Sequence, residues 1–381
     1  MKNKSLAIII VCILVLTSCI PTNNIEELAI ITARGVDRIE DNRVETVLNV
    51  ARFDPQTQNI FATVSGTGNT VKGAREDAGN RLNYELKEGQ IDVELYGNEA
   101  AKQGIFPYIG GLIRDARVSD TMKLVISNTT AKEILEFELE QGIAIGEYLA
   151  DLIEIEVDEG ALPSSTLQDF TRRGATIGQD AALTLIDIKE DKPSIVGMAV
   201  LQDDRYVLEI STHEGFLLNL FLNQIRNTPI ELTLPLEPFQ EYIEKIGTTE
   251  RERDERETFS IQLTGEHGNS KTKVKNLEEL KFQTDIYLDL EIAEISQPIS
   301  IKDKKASDLL EKEMEKKIQQ QFEELLKKTQ EVNADPFGFG KIYRANKEDG
   351  RITPEEWREK YPNINVEFNV NVKLMHTGTV Q

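Results

Sequence analysis

Residues 303–333 read DKKASDLLEKEMEKKIQQQFEELLKKTQEVN, and apolar residues recur in this stretch at close to 3.6 positions. Charged residues fill most of the other positions, so the pattern predicts one long amphipathic helix. Alternating residues at Phe282–Ile295 and Ile364–Leu374 predict strands on either side of it, and hence helices packed on a sheet. We expect the apolar stripe to flank a domain core, and a coiled-coil partner surface is the alternative. The stripe consists of Ala306, Leu310, Met314, Ile318, Phe322, Leu325 and Val332.

Upstream of this region, short strands alternate with short helices. Leu28–Arg34 and Val44–Phe53 have the pattern of two strands, and the turn-forming pair Asp41-Asn42 between them predicts a hairpin. Ser65–Thr70 is rich in turn formers and precedes residues with helical spacing, so we expect a turn that caps a helix. Helices are also predicted over Asn98–Gln103, which Gly104 closes, over Phe106–Ala116, over Ala131–Leu139 and over Ile145–Ile155.

The length of the chain, 381 residues, is enough for two or three domains. The order of elements predicts an α+β protein with three mixed α/β domains, largely antiparallel sheets and flanking helices. A polar stretch at Lys189–Pro193 precedes a change in pattern, so we place one boundary there. The expected division is a signal peptide over residues 1–18, an N-terminal domain over 19–190, a middle domain over 191–260 and a C-terminal domain with the long helix over 261–381.

The charge balance excludes some classes of partner. The chain has 66 Asp and Glu residues against 44 Lys and Arg residues, and its net charge is -22. Unspecific attraction to phosphate backbones is not expected from such a chain, so we predict no nucleic-acid binding. The acidity by itself otherwise indicates only solubility.

The N-terminus has the pattern of an export signal. Lys2 and Lys4 precede an apolar run over Leu6–Leu16, which is about half as long as a membrane-spanning helix requires. The four residues Leu16-Thr17-Ser18-Cys19 that end this region resemble the lipobox of bacterial lipoproteins. This resemblance implies cleavage after residue 18 and a diacylglyceryl group on the sulfur of Cys19, and two acyl chains suffice for stable anchoring. An ordinary secretory peptide with an incidental cysteine is the alternative.

Motifs of catalysis and metal binding are not found in the sequence. His213, His267 and His376 are the three histidines, and none has a second histidine or a cysteine at metal-ligand spacing. The two cysteines, Cys12 and Cys19, lie within the first twenty residues, so the body has no thiol nucleophile. The Gly-x-Ser-x-Gly motif of serine hydrolases does not occur, and Ser65–Thr70 lacks the residues of a phosphate-binding loop. We therefore predict no catalytic residue, no metal and no cofactor.

Several segments, in their order and spacing behind the lipobox, resemble the Ger(x)C family of spore germination lipoproteins. The segments of the N-terminal half are Glu27–Asp37, Ser65–Thr70, Tyr96–Ile105 and Ile113–Arg117, and those of the C-terminal half are Ile195–Val200, Gly215-Phe216, Trp357 and Val370–Gly378. The resemblance covers nearly the whole chain. Two features depart from the family pattern, because Ile20-Pro21-Thr22 stands where the family has Trp-Asp, and Gly89-Gln90 stands near the place of a common histidine.

The resemblance implies a function and a set of candidate residues. Family members act as the C subunit of a germinant receptor, with integral-membrane A and B subunits, on the outer face of the inner membrane of the spore. They have three mixed α+β domains, and no enzymatic activity or cofactor is known for them. The residues that the resemblance marks for partner contact or for a structural motif are Gly66, Thr67, Gly68, Gly97, Arg114, Asp115 and Arg117.

Two other functions are compatible with an exported lipoprotein. An extracytoplasmic solute-binding lipoprotein of a transporter would have two lobes around one deep cleft. A lipoprotein enzyme would bring together carboxylates with strongly shifted pKa values. The long alternating strands and the amphipathic helix favour the receptor subunit over the solute-binding protein.

Overall fold

A computed structural model describes residues 28–53, 60–115, 118–139, 142–174, 176–243 and 257–375 of the chain. The predicted signal peptide over residues 1–18, the lipidation site Cys19 and the candidate residue Arg117 lie outside these ranges. The described chain forms two sheets with helices around them, which confirms the predicted α+β class.

The first sheet has eight strands in the order β3-β2-β1-β4-β5-β6-β7-β8. Strands β1, β4, β5 and β6 run parallel to one another, and the other neighbours pair antiparallel. The strands are β1 Leu28–Arg38, β2 Val44–Arg52, β3 Phe61–Gly68, β4 Glu85–Tyr96, β5 Lys123–Ser127, β6 Ala182–Lys189, β7 Lys192–Gln202 and β8 Arg205–Ser211.

Two of its turns show how local sequence forms a hairpin. Asp41 and Asn42 have φ values of 58° and 64° and connect β1 to β2, which confirms the predicted hairpin. Glu190 and Asp191 have φ values of 48° and 58° and connect β6 to β7 in the same way. Short polar side chains adopt this left-handed conformation more readily than most, although glycine is favoured there.

Helices cover both faces of the first sheet. One buried cluster joins the first, second, third and sixth helices to one face, and a second cluster joins the fourth and fifth helices to the opposite face. The six helices are α1 Val71–Gly79, α2 Asn98–Gln103, α3 Phe106–Arg114, α4 Ala131–Leu135, α5 Ile145–Asp158 and α6 Leu167–Gly174. This arrangement explains why β1, which is covered on both faces, is largely apolar.

The second sheet has four strands in the order β12-β11-β10-β9, and in it β11 and β12 are parallel while the other neighbours are antiparallel. Residues Thr258–Asn276 form one continuous strand with bulges. The elements of this half are α7 Thr212–Leu222, β9 Thr228–Pro235, β10 Thr258–Asn276, β11 Lys281–Ile295, α8 Lys304–Glu331, α9 Phe339–Asn346, α10 Pro354–Lys360 and β12 Asn365–Leu374.

Helix α8 is the long amphipathic helix that the sequence predicts. Asp303 caps it by accepting a hydrogen bond from the backbone N–H of Lys305 at 2.8 Å. Its apolar stripe is buried against the second sheet, with the rings of Phe322 and Phe368 centred 5.3 Å apart. Burying one such side chain stabilises the fold by about 1.5–3 kcal/mol. The stripe therefore forms a flank of the core, as expected, and is not free to form a coiled coil.

The predicted domain boundaries fall inside these sheets. Position 190 lies in the turn between β6 and β7, and position 260 lies within β10. The polar stretch at Lys189–Pro193 thus forms a hairpin and not a linker, because its charged residues occupy the tight turn and the strand ends. How the chain divides into folding units stays a prediction.

The two sheets share one core through helix α7. This helix contacts β7 and β8 of the first sheet and β10 of the second. Its buried residues join one cluster that includes Met198 and Ile210 from the first sheet and Leu263 and Leu288 from the second. The sheets are therefore connected by apolar packing and not only by the chain that links them.

A polar junction fixes the same two halves beside this core. The guanidinium of Arg358 on α10 donates to both carboxylate oxygens of Asp180, each at 2.5 Å, and to Asp203 at 2.9 Å. Asp180 precedes β6, and Asp203 lies in the turn between β7 and β8. A bidentate contact of this kind fixes both distance and orientation.

Asp335 lies at the centre of the junction and is fully buried. One of its oxygens accepts from Gly338 N–H at 2.8 Å, and the other accepts from Gly340 N–H at 2.9 Å and from Trp357 Nε1 at 3.0 Å. Its own N–H donates to Asp180 at 2.6 Å. Burial raises the pKa of Asp335 to about 7, while the hydrogen bond from Gly340 opposes this shift.

We expect the Asp335→Asn variant to lose part of the pH dependence of stability. The folded chain holds the Asp335 proton up to about pH 7, whereas the unfolded chain releases it near the usual pKa of 3.8. The free energy of unfolding of the wild type should therefore fall relative to that of the variant as the pH rises from about 4 to about 7, by at most about 1.4 kcal/mol per pH unit. Urea unfolding followed by Trp357 fluorescence measures this difference. If the free energy of unfolding of the wild type, relative to that of the variant, stays constant or rises over this pH range, the shifted pKa is contradicted.

Candidate functional site

The carboxyl ends of the four parallel strands of the first sheet meet at one end, which we call the carboxyl end of the sheet. In open α/β sheets, ligands bind most often at this end, outside the strand termini. Asp37 near the end of β1, Gly97 after β4 and Asn128 after β5 all lie here. Gly97 was predicted from the sequence as a candidate residue. The carboxyl end of the sheet is therefore the first candidate site.

The carboxylate of Asp37 attaches β1 to helix α4. Its two oxygens accept hydrogen bonds from the backbone N–H groups of Ala131 and Lys132, each at 2.8 Å. Burial raises the pKa of Asp37 above its usual value, and these two hydrogen bonds oppose the shift. The side chain of Lys132 in turn contacts Glu45 of β2 at 2.7 Å. The hydrogen bonds of Asp37 and the ion pair between Lys132 and Glu45 therefore hold β1, β2 and α4 together.

Gly97 is required by the close approach of Asp37. Its N–H donates to the carbonyl oxygen of Val36 at 3.0 Å, which places it directly beside the end of β1. A Cβ atom at this position would lie 1.9 Å from Oδ1 of Asp37 and 3.1 Å from the backbone nitrogen of Ala131. The φ of Gly97 is -66°, so the constraint is space and not backbone conformation.

Gly66, Thr67 and Gly68 lie in strand β3 and not in the turn that the sequence predicts. The predicted helix cap is confirmed nearby, because the Thr70 side chain accepts from the N–H of Gly73 at the start of α1. The turn-rich composition has another cause: α1 lies directly on β3, and a Cβ on Gly66 would lie 2.3 Å from the backbone oxygen of Ala74.

The same close packing applies to the other two residues of this motif. A Cβ on Gly68 would lie 2.5 Å from the backbone nitrogen of Ala74. The N–H of Thr67 donates to Asp77 on α1 at 2.9 Å, and its hydroxyl accepts from Arg43 at 2.7 Å. Gly66, Thr67 and Gly68 thus form the part of the edge strand β3 against which helix α1 packs.

Arg114 and Asp115 do not join this group. They end helix α3 and follow its last turn, before the chain enters β5 at Lys123, so they lie toward the opposite end of β5. Arg114 is exposed to solvent. The candidate residues therefore occupy at least two separate regions, one of them built from glycines that serve close packing.

A buried ion pair was missed by the sequence analysis. Arg34 of β1 and Glu94 of β4 are register partners on parallel strands, and the guanidinium donates to both carboxylate oxygens at 2.8 Å. Burial raises the pKa of Glu94, and the charge of Arg34 opposes this shift. No local pattern marks the pair, because β4 also contains the charged residues Glu85, Lys87 and Asp92.

The described ranges also bear on metal binding and on membrane spanning. No group of three or more His, Cys, Asp or Glu residues among them is arranged to hold a metal ion. In the same ranges, no helix combines the length and the hydropathy that crossing a bilayer requires.

Two family models together match most of the chain. The N-terminal domain of spore germination proteins matches residues 21–188, and the C-terminal domain described as spore germination B3/GerAC like matches residues 196–378. The chain belongs to the Ger(x)C family of spore germination proteins. The resemblance stated from sequence segments is confirmed by these matches.

Curated relatives of this Ger(x)C chain have similar length. Spore germination protein GerQC of Bacillus cereus is 20% identical over 369 residues, which cover 96% of each chain. Spore germination protein KC of Bacillus subtilis is 20% identical over 404 residues, covering 96% of this chain and 93% of that protein. The crystal structure of the GerBC protein matches with a TM-score of 0.51 at 14% identity, covering 90% of this chain and 98% of that one, so it shares the fold.

We expect Gly97→Ala to destabilise the protein by roughly 2 kcal/mol, because the added methyl group displaces Asp37 from the start of α4. Urea unfolding followed by far-UV circular dichroism measures the loss. Gly111→Ala on α3 is the matched control, since a Cβ there meets no atom within 4 Å, and alanine favours a helix by about 1 kcal/mol. Equal stability of the two variants would show that Gly97 is not held by this contact.

Proposed function

We propose that the chain is a lipid-anchored, non-enzymatic C subunit of a spore germinant receptor. It acts with two integral-membrane subunits, of the A and B types, in germination triggered by nutrients. The observation that carries the proposal is the match of both halves of the chain to spore germination domains, at 21–188 and 196–378. Relatives named as spore germination proteins extend over the same length, which supports a role for the whole chain.

The proposed anchor is a diacylglyceryl group on Cys19. The lipobox Leu16-Thr17-Ser18-Cys19 follows an apolar run that is too short to span a bilayer. Cleavage before Cys19 makes this cysteine the first residue of the mature chain, on the outer face of the inner membrane of the spore. A tethered body has a raised effective concentration toward membrane partners, so weak contacts with them suffice.

The two fully buried carboxylates whose pKa values are raised, Asp335 and Glu94, support a structural role and not catalysis. Asp335 has its pKa raised to about 7, yet both of its oxygens accept hydrogen bonds from buried donors. Glu94 is fully buried and bound to Arg34. A general acid or base needs access to a substrate, and these two groups have none.

The geometry between the halves favours this proposal over a solute-binding lipoprotein. A solute-binding protein has a deep cleft between two lobes. Here α7 fills the space between the sheets, and Arg358 joins Asp180 beside it. The cavity beside this ion pair measures about 120 Å³, which is below the roughly 300 Å³ of a typical ligand pocket.

The candidate residues divide into two roles under this proposal. Gly66, Gly68 and Gly97 act as structural residues. Each leaves room for a backbone or carboxylate atom of a neighbouring element, with which a Cβ would clash. Arg114 is a candidate contact for the membrane subunits, because it is exposed at the end of α3. Asp115 and Arg117 follow Arg114 in the chain and belong to the same group of candidate contacts.

Replacing Cys19 with alanine tests the anchor. We expect the Cys19→Ala protein to remain an uncleaved or mislocalised precursor, because the sulfur that receives the lipid is lost. Membrane fractionation, with mass spectrometry of the N-terminus, reports both effects. Normal processing and membrane retention of the variant would count against lipidation.

Deletion of the gene tests the receptor role. We expect slower germination in response to nutrients and normal germination with triggers that bypass receptors, because only the nutrient signal passes through this subunit. The loss of optical density of a spore suspension measures both rates, and complementation with the wild-type gene is the control. An unchanged nutrient response in a strain without a redundant receptor would reject the assignment.

A further inference from the structure

Two large apolar side chains are exposed at the β2–β3 corner of the first sheet. Phe53 follows β2 and is 45% exposed, and Ile60 precedes β3 and is 53% exposed. They are held near each other, because the N–H of Arg52 donates to the carbonyl oxygen of Ile60 at 2.7 Å. Single exposed apolar residues are common on protein surfaces, but neighbouring ones indicate a contact surface.

A third exposed side chain extends this surface across a groove. Ile143, which is 48% exposed, precedes α5 and lines a groove of about 1170 Å³ together with Ile60. The groove is lined by partly buried apolar residues, Phe61, Ala62, Phe137 and Leu139, and by the polar or charged residues Asn49, Arg52, Thr63, Glu136 and Glu138. We call the exposed side chains of Phe53, Ile60 and Ile143, with the apolar part of this lining, the apolar groove.

The apolar groove lies at the end of the sheet where the tether enters. Strand β1 begins at Leu28, and Ala29 is the register partner of Arg52, the neighbour of Phe53. Leu28 is nine residues from Cys19. Nine extended residues span at most about 30 Å, so an anchor at Cys19 keeps this end of the sheet close to the bilayer.

The charges around the groove do not favour an electrostatic contact. Arg52 lies at one side of the groove, and Glu136 and Glu138 lie at the other. The whole chain has a net charge of -22, which gives no general attraction to anionic lipid. The attraction that this surface offers to a bilayer therefore comes from the exposed apolar side chains of Phe53, Ile60 and Ile143.

We propose that the apolar groove rests on the interface of the bilayer that holds the anchor, with the side chains of Phe53, Ile60 and Ile143 among the lipid headgroups. The proposal depends on the lipid anchor put forward above. The tether brings the groove to the bilayer, and the contact sets the angle at which the body stands on it. Apolar side chains at this depth act by burial of apolar area, as in proteins that lie on a membrane surface.

Environment-sensitive labels on the lipidated, full-length mature protein test the orientation. Its cysteine at position 19 is alkylated, so a cysteine introduced by Ile60→Cys or Ile143→Cys takes an NBD label at that position alone. Tyr287→Cys on β11 is the matched control, because Tyr287 is 49% exposed and lies in the second sheet. The labelled proteins are incorporated into phosphatidylglycerol and phosphatidylethanolamine vesicles with and without doxyl-labelled lipid.

We expect a blue shift of NBD emission and quenching by doxyl lipid at positions 60 and 143, and neither effect at position 287. Raising the salt concentration should leave the quenching unchanged, because the contact is apolar. Flotation of the vesicles tests separately whether the lipid anchor holds the protein on the membrane.

Protein that floats without quenching at positions 60 and 143, or with equal quenching at all three positions, would overturn the orientation and leave the anchor standing. Protein that fails to float would overturn the anchor and the orientation with it. If position 60 becomes shielded only when the membrane subunits are co-purified, the groove is a protein-docking surface and the proposal is wrong.

Discussion

The ion pair between Arg358 and Asp180, with Asp335 beside it, is the constraint on which the arrangement of the two sheets depends. The apolar core around α7 supplies most of the burial between the halves, but apolar packing tolerates changes in angle. The bidentate contact at 2.5 Å does not, because both oxygens of Asp180 are engaged. Such a pair is weak evidence for net stability, and here the Arg358 side chain is still 22% exposed while that of Asp180 is 5% exposed. Its role here is to fix geometry.

Within the first sheet, glycines fix the geometry between neighbouring elements. Gly66 and Gly68 let α1 lie on β3, and Gly97 lets Asp37 reach the start of α4. Each site joins a backbone to a neighbouring element at a distance that no side chain permits. These residues were selected from the sequence by resemblance alone, and the structure supplies the physical reason that the resemblance did not contain.

Elements with local signals were predictable, and contacts between distant residues were not. The period of α8, the hairpin at Asp41-Asn42 and the closure of α2 by Gly104 all depend on residues within one turn of each other. Ser65–Gly68 was misread as a turn because its composition is governed by a packed helix, which is a tertiary effect. Asp180 and Arg358 are 178 positions apart, so no local pattern relates them. Arg34 and Glu94 are 60 positions apart, and only their register on parallel strands shows that they pair.

Because the junction between the two sheets is rigid, a membrane contact at one corner of the first sheet would orient the whole protein. A single flexible tether fixes the distance of a body from the bilayer but leaves its rotation free. The proposed second contact at the apolar groove would remove most of that freedom, and the Arg358 junction would carry the orientation from the first sheet to the second. The carboxyl end of the sheet, with Asp37 and Lys132, lies at the opposite end of β1 from the one that the proposed anchor precedes. For the proposed receptor subunit, a fixed orientation would reduce the rotational freedom lost on contact with neighbours in the same membrane, so modest surfaces would suffice for assembly.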